Sequence, residues 1–110
     1  METSWVTTHK ETVQKLANAF VKTMRFIHSH SAQEIAALMP SDFYVGDRTM
    51  YVNALASGKA MFTEDGRMPD GGPENVLAVL SAIKSRVHDK PIDLAQTYTT
   101  AFVDAANASP

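Results

Sequence analysis

The apolar residues between positions 13 and 27 recur at the spacing of an α-helix, and no other feature constrains the fold as strongly. At about 100° per residue they occupy one stripe about 140° wide, and polar residues fill the opposite side. The stripe is formed by Val13, Leu16, Ala17, Phe20, Val21, Met24 and Ile27. Thr8 and Glu11 have the spacing of a capping box, so we expect this helix to begin just after Thr8. Phe26 is the exception, because it projects from the polar side.

Two further helices are predicted between positions 31 and 61. Ser31 and Glu34 repeat the capping-box spacing, and Pro40 blocks continuation, so a short helix is expected over about residues 32–39. Residues 41–46 are typical of a turn. Asp47 then stands at or near the start of a third helix. One side of that helix carries Met50, Tyr51, Ala54, Leu55 and Met61.

The second half of the chain predicts a loop and then a fourth helix. Residues 62–72 contain three glycines and one proline without periodicity, which favours a loop. Pro73 suits the first position of a helix, where its missing N–H has no cost. The apolar residues of this helix cover a wide arc, which predicts a central, well-buried element that ends at about residues 88–91. They are Val76, Leu77, Val79, Leu80, Ile83 and Val87.

A last helix is expected from Asp93, because Asp93 and Gln96 form a third capping-box pattern. Its inner side would carry Leu94, Tyr98, Ala101, Phe102 and Ala105. The threonines at positions 97, 99 and 100 fit this helix better than a strand, since they are too polar for a buried one. No segment alternates as a half-buried strand does. The sequence therefore predicts an all-α fold of about five amphipathic helices.

Length and composition limit the classes of protein. The 110 residues amount to one helical domain, residues 1–110, with residues 1–7 and 107–110 as flexible ends. Hydrophobic residues at 45% exclude a disordered chain, and a net charge of −2 argues against a nucleic-acid partner. The absence of cysteine excludes disulfides and thiolate sites. The first residues have neither the basic start nor the apolar stretch of a secretory signal, so the compartment of this chain is undetermined.

Catalytic and metal-binding patterns are absent from the sequence. His28 and His30 point about 200° apart on a helix, so we interpret them as residues of a helix C-terminus rather than ligands of one metal. The loop at residues 65–72 indicates turn chemistry. Arg67 is interpreted as solvated by default, with pairing to a carboxylate or an anion as the alternative. Asp42, Asp47 and Asp104 are interpreted as caps or solvated charges, and the methionines as core-filling residues. We therefore predict no enzyme activity, catalytic residue, metal or cofactor, and the residues that would bind a ligand stay unknown.

Several blocks of the sequence resemble the C-terminal region of the substrate-binding proteins of nitrate/sulfonate/taurine-type ABC transporters. The likeness covers about residues 5–106, and its blocks occur in the family's order. The blocks are ETVQKLANAFVKT (11–23), IHSHSAQEIAALMP (27–40), MFTEDGRMP (61–69), GPE (72–74), IDL (92–94), TYT (97–99) and FV (102–103).

This resemblance implies a role within a larger protein. Full-length members of the family have two α/β lobes, bind a small solute between them and deliver it to an ABC permease in the periplasm. The chain would then be the C-terminal helical part of such a protein, acting as a scaffold and not binding the solute alone. The solute would be a small anionic or sulfur- or nitrogen-containing compound. The alternative is a free-standing helical module for self-association or partner binding, and in either case we expect a homo-oligomer.

Two predictions about surfaces follow from a missing α/β body. Helices shaped to cover a sheet would keep apolar faces with no partner in this chain, and those faces would favour self-association. Phe26, Val52 and Val103 fall outside the main stripes of their helices and are candidates for such second surfaces.

Overall fold

The computed structural model describes residues 1–83 and 90–109, and within them six α-helices and three short 3₁₀ turns form with no strand, which confirms the all-α prediction. The helices are α1 (Thr3–Thr8), α2 (Lys10–Ser29), α3 (Ala32–Leu38), α4 (Arg48–Gly58), α5 (Gly72–Ile83) and α6 (Ala101–Ala108). The 3₁₀ turns span Ser41–Tyr44, Lys59–Met61 and Leu94–Gln96. Residues 62–71 form the predicted loop.

The predicted capping box at Thr8 is wrong. Thr8 belongs to the last turn of α1, where its hydroxyl donates to the carbonyl oxygens of Ser4 (3.0 Å) and Trp5 (3.1 Å). A threonine hydroxyl that is engaged by its own helix cannot cap the next one. Helix α2 begins at Lys10, and Glu11 forms an exposed ion pair with Lys15 (2.8 Å).

The caps of α3 and α4 are confirmed. The amide of Glu34 donates to the Ser31 hydroxyl (3.2 Å), and the Ser31 amide donates to the Glu34 carboxylate (2.8 Å). The backbone hydrogen bond from Ser31 also lowers the pKa of Glu34. Asp47 accepts a hydrogen bond from the Met50 amide (2.9 Å) and begins α4.

The predicted last helix divides into a turn and a shorter helix. Asp93 accepts hydrogen bonds from the Ala95 amide and the Gln96 side chain (both 3.1 Å), but only the turn Leu94–Gln96 follows. The Thr97 hydroxyl donates to the Leu94 carbonyl oxygen (2.6 Å), and the Thr99 hydroxyl accepts from the Ala101 amide (3.3 Å). Such local side-chain bonds compete with helical ones, so α6 begins only at Ala101.

The two most extensive helix pairs are α2 with α6 and α3 with α4. Gln14 on α2 donates to the Phe102 carbonyl oxygen (2.8 Å), and Arg25 donates to Asn107 on α6 (2.9 Å). Among the described residues, the buried apolar core is small. It consists of Val21, Ala32, Ala36 and Ala106.

The prediction that the methionines fill the core is wrong for Met50, Met61 and Met68, which are 68%, 81% and 48% exposed. Val103 packs with Val21 against the backbone of Gly66 and also lines an apolar hollow between α2 and α6. Phe26, in contrast, stacks on the ring of His30 outside the α2–α6 contact (centroids 3.8 Å apart).

The fourth helix is also not the buried centre of the fold. Helix α5 has no buried residue and belongs to neither of the two packed pairs. Pro73 is its second residue, since the helix begins at Gly72. Val87 and the start of the predicted helix end at residues 88–91 lie outside the described residues. An apolar sequence predicts burial only when another surface is available to cover it.

Candidate functional site

The two histidines lie where the sequence predicts, at the C-terminus of α2. His28 Nε2 donates a hydrogen bond to the Phe62 carbonyl oxygen (2.6 Å). His30 is the C-terminal cap, and its Nδ1 lies 2.9 Å from the Phe26 carbonyl oxygen. His28 therefore ties α2 to the start of the 62–71 loop, and His30 closes the helix end.

We searched the described residues for clusters of metal-ligating side chains. Residues 1–83 and 90–109 contain no group of three or more His, Asp or Glu side chains that could hold a metal ion. His9, a third histidine of this region, stacks on Trp5 with the ring centroids 4.5 Å apart.

The loop at residues 65–67 is held on α6 by an ionic cluster that joins Arg67 to Asp65 and Asp104. Arg67 donates to Asp104 from Nη2 (2.7 Å) and Nε (2.9 Å), and to Asp65 from Nη1 (2.8 Å). Asn107 on α6 donates to the Asp65 carbonyl oxygen (2.8 Å). Arg67 thus pairs with carboxylates, which was the alternative to a solvated arginine, while Arg67 and Asp104 remain 45% and 50% exposed.

Turn chemistry at Asp65 is confirmed. The Asp65 carboxylate accepts a hydrogen bond from the Arg67 amide (3.0 Å), and Gly66 between them has a φ of +76°. Only glycine adopts this backbone angle without steric cost. Gly66 lies directly over Val21 and Val103, where a side chain would meet both valines. The loop thus covers the most buried valine of α2.

The ionic cluster has a clear electrostatic signature. The pKa of Asp65 is lowered, mainly by the hydrogen bond from the Arg67 amide. The pKa of Asp104 is also lowered, mainly by the hydrogen bond from the Arg67 side chain. Asp104, and after it Asp65, raises the pKa of Arg67. The folded state therefore favours the ionised form of both carboxyls.

We expect the cluster to make the fold acid-sensitive. Because both folded-state pKa values are lowered, the cluster stabilises the fold above about pH 4 and loses this contribution as the pH falls further. Unfolding by urea, followed by circular dichroism at pH 6 and pH 3, measures the effect. The substitution Asp104→Asn should reduce the difference between the two pH values, whereas Asp42→Asn, at an exposed carboxyl on the 41–44 turn, should not. Equal pH dependence in all three proteins would contradict the expectation.

The molecule exposes more surface than a compact domain of its size. The chain exposes 8434 Å², whereas a compact monomer of 12.0 kDa exposes about 6,000 Å². Its radius of gyration is 17.5 Å, against about 13 Å for a compact domain of this length. Roughly 2,400 Å² of surface is thus exposed beyond what a self-contained domain shows.

Exposed apolar side chains form three identifiable surfaces. A groove of about 280 Å³ opens between α2, α3 and α4, and an apolar hollow lies between α2 and α6. The third surface, the α5 face, is formed by Val76, Val79, Leu80 and Ile83. The groove between α2 and α4 is lined mainly by Ile27, Ile35, Tyr51, Leu55 and Phe62. These surfaces are suited to packing against another apolar surface.

Membrane insertion is a different use of apolar surface. Within residues 1–83 and 90–109, no helix combines the length and apolar character needed to cross a bilayer.

Comparison of the chain with protein-family models, curated proteins and solved structures finds no match.

Proposed function

We propose that the chain is the C-terminal helical part of a solute-binding protein of an ABC uptake system, where it covers a larger α/β body. The observation that carries this proposal is the roughly 2,400 Å² of surface exposed beyond that of a compact monomer. A surface of this size exceeds the roughly 800 Å² that each partner contributes to a standard protein interface.

The resemblance of the sequence to nitrate/sulfonate/taurine-type binding proteins is what supports this choice of α/β body. In the proposed protein the solute, a small anionic or sulfur- or nitrogen-containing compound, binds between two lobes outside this segment. The described residues support a scaffolding role through their packing surfaces. A periplasmic location and delivery of the solute to a permease belong to the same proposal.

A chimera tests the proposal. The two lobes of a taurine- or nitrate-binding protein, without their own C-terminal helices, are joined to this chain, and solute binding is measured by calorimetry. We expect the chimera to bind its solute and to melt at a higher temperature than the lobes alone. The isolated chain should give no binding heat with nitrate, taurine or other sulfonates.

A matched pair of variants controls for nonspecific effects of the added chain. Val79→Glu places a charge on the α5 face and should abolish the gain in melting temperature, because an unpaired charge would be buried. Val45→Glu places the same charge at a position that is 83% exposed outside the helices and should preserve the gain. A chimera that melts like the lobes alone would contradict the proposal.

A further inference from the structure

We propose that two free copies of this chain pair through the α5 face, with the two α5 helices antiparallel. Val76, Val79 and Ile83 are 58%, 59% and 74% exposed, and the spacing of the face is i, i+3, i+4, i+7. Residues at this spacing form an apolar stripe whose side chains can interdigitate with those of a second helix. The pairing concerns the chain alone and does not depend on the α/β body of the proposed function.

The α5 face carries no charge that would repel the same face of a second copy. No charged residue occurs from Asn75 to Ile83, so two such faces meet without like-charge repulsion. Glu74 is the one charged side chain of α5. In an antiparallel pair centred between Val79 and Leu80, the two Glu74 residues lie about 16 Å apart along the axis, beyond the Debye length of about 8 Å. A parallel pair would place them side by side.

The antiparallel arrangement also defines the register. Val79 lies opposite the partner's Leu80, and Val76 lies opposite the partner's Ile83. The macrodipoles of the two helices then oppose each other, which is favourable. Such an interface is isologous, because the same patch of each copy meets itself, and it closes at two subunits.

Uncovered surface is available for a second copy. Each copy as a whole exposes roughly 2,400 Å² more than a compact monomer, and the α5 face is part of that surface. The face is widened on one side by an apolar groove that α5 forms with Ile92 and Leu94. A second copy presents the same uncharged apolar surface and is therefore an occupant of matching chemistry.

Sedimentation of the complete 110-residue chain tests the pairing. We expect a concentration-dependent monomer–dimer equilibrium that Val79→Glu weakens by at least about 30-fold, the effect of losing a central hot-spot residue. Val45→Glu should leave the equilibrium unchanged. A monomer at all concentrations, or a dimer equally stable in the Val79→Glu variant, would overturn the inference while leaving the chimera experiment unaffected.

Chemical crosslinking provides a second test that does not require a destabilising charge. The chain has no cysteine, so a single introduced thiol is unique in each copy. Val79→Cys should give a covalent dimer with a short bismaleimide, because the two thiols lie close to the two-fold axis. Val45→Cys should not. Efficient crosslinking of Val45→Cys with none at Val79→Cys would overturn the α5 pairing even if a dimer forms.

Discussion

Gly66→Ala is expected to destabilise the fold by about 3 kcal/mol, from two additive causes. The left-handed backbone at φ +76° costs a residue with a side chain about 1–2 kcal/mol. The new methyl group would also lie 3.2 Å from Cγ2 of both Val21 and Val103, and overpacking of this kind costs about 1–3 kcal/mol. Urea unfolding followed by circular dichroism measures the sum.

Gly71→Ala separates these two causes. Gly71 has nearly the same backbone angle, φ +79°, but nothing lies within 4 Å of the position that its Cβ would occupy. This variant should therefore lose only about 1 kcal/mol, the cost of the backbone conformation. Equal losses at Gly66 and Gly71 would show that the loop does not pack tightly on α2 and α6.

Ala36→Leu is expected to destabilise the fold by about 2 kcal/mol, because Ala36 is completely buried. Ala32 and Ala36 stand one turn apart on α3, which packs on α4. Small side chains let the two helices approach closely, and a leucine would force them apart. The free energy of unfolding in urea is the quantity to compare.

Ala37→Leu is the matched control for this substitution. Ala37 is the next residue of the same helix and is exposed. The same change of side chain should alter stability by less than about 0.5 kcal/mol there. A similar loss at both positions would indicate that helix propensity, and not packing against α4, determines the effect.

Local interactions explain why part of the fold could be predicted. The cap at Ser31 depends on residues within three positions of each other, and so does the Asp47 cap of α4. Thr8 shows the limit of such patterns. Its hydroxyl has a second local partner, the Ser4 carbonyl oxygen of the preceding helix, and a spacing pattern does not show which partner the hydroxyl bonds.

The ionic cluster could not be predicted, because its members are far apart in sequence. Arg67 and Asp104 are separated by 37 positions, and their meeting depends on how the loop crosses α2 and α6. An Asp-Gly pair before Arg67 signalled a turn, but a turn alone does not identify the carboxylate that the arginine will reach. The packing of Gly66 on Val21 and Val103 could not be predicted for the same reason.

The amino-acid sequence by itself determined the helical class, most helix positions and the loop between α4 and α5, since these follow from periodicity and short-range hydrogen bonds. Only the tertiary structure decided which apolar residues are buried. The stripe of α2 and the face of α5 look alike as patterns. In α2, however, Val21 is buried beneath α6 and the 65–67 loop, although Leu16 and Phe20 stay 40% and 55% exposed, whereas α5 has no buried residue. Burial depends on the presence of a partner surface, and apolar spacing along one helix carries no information about that partner.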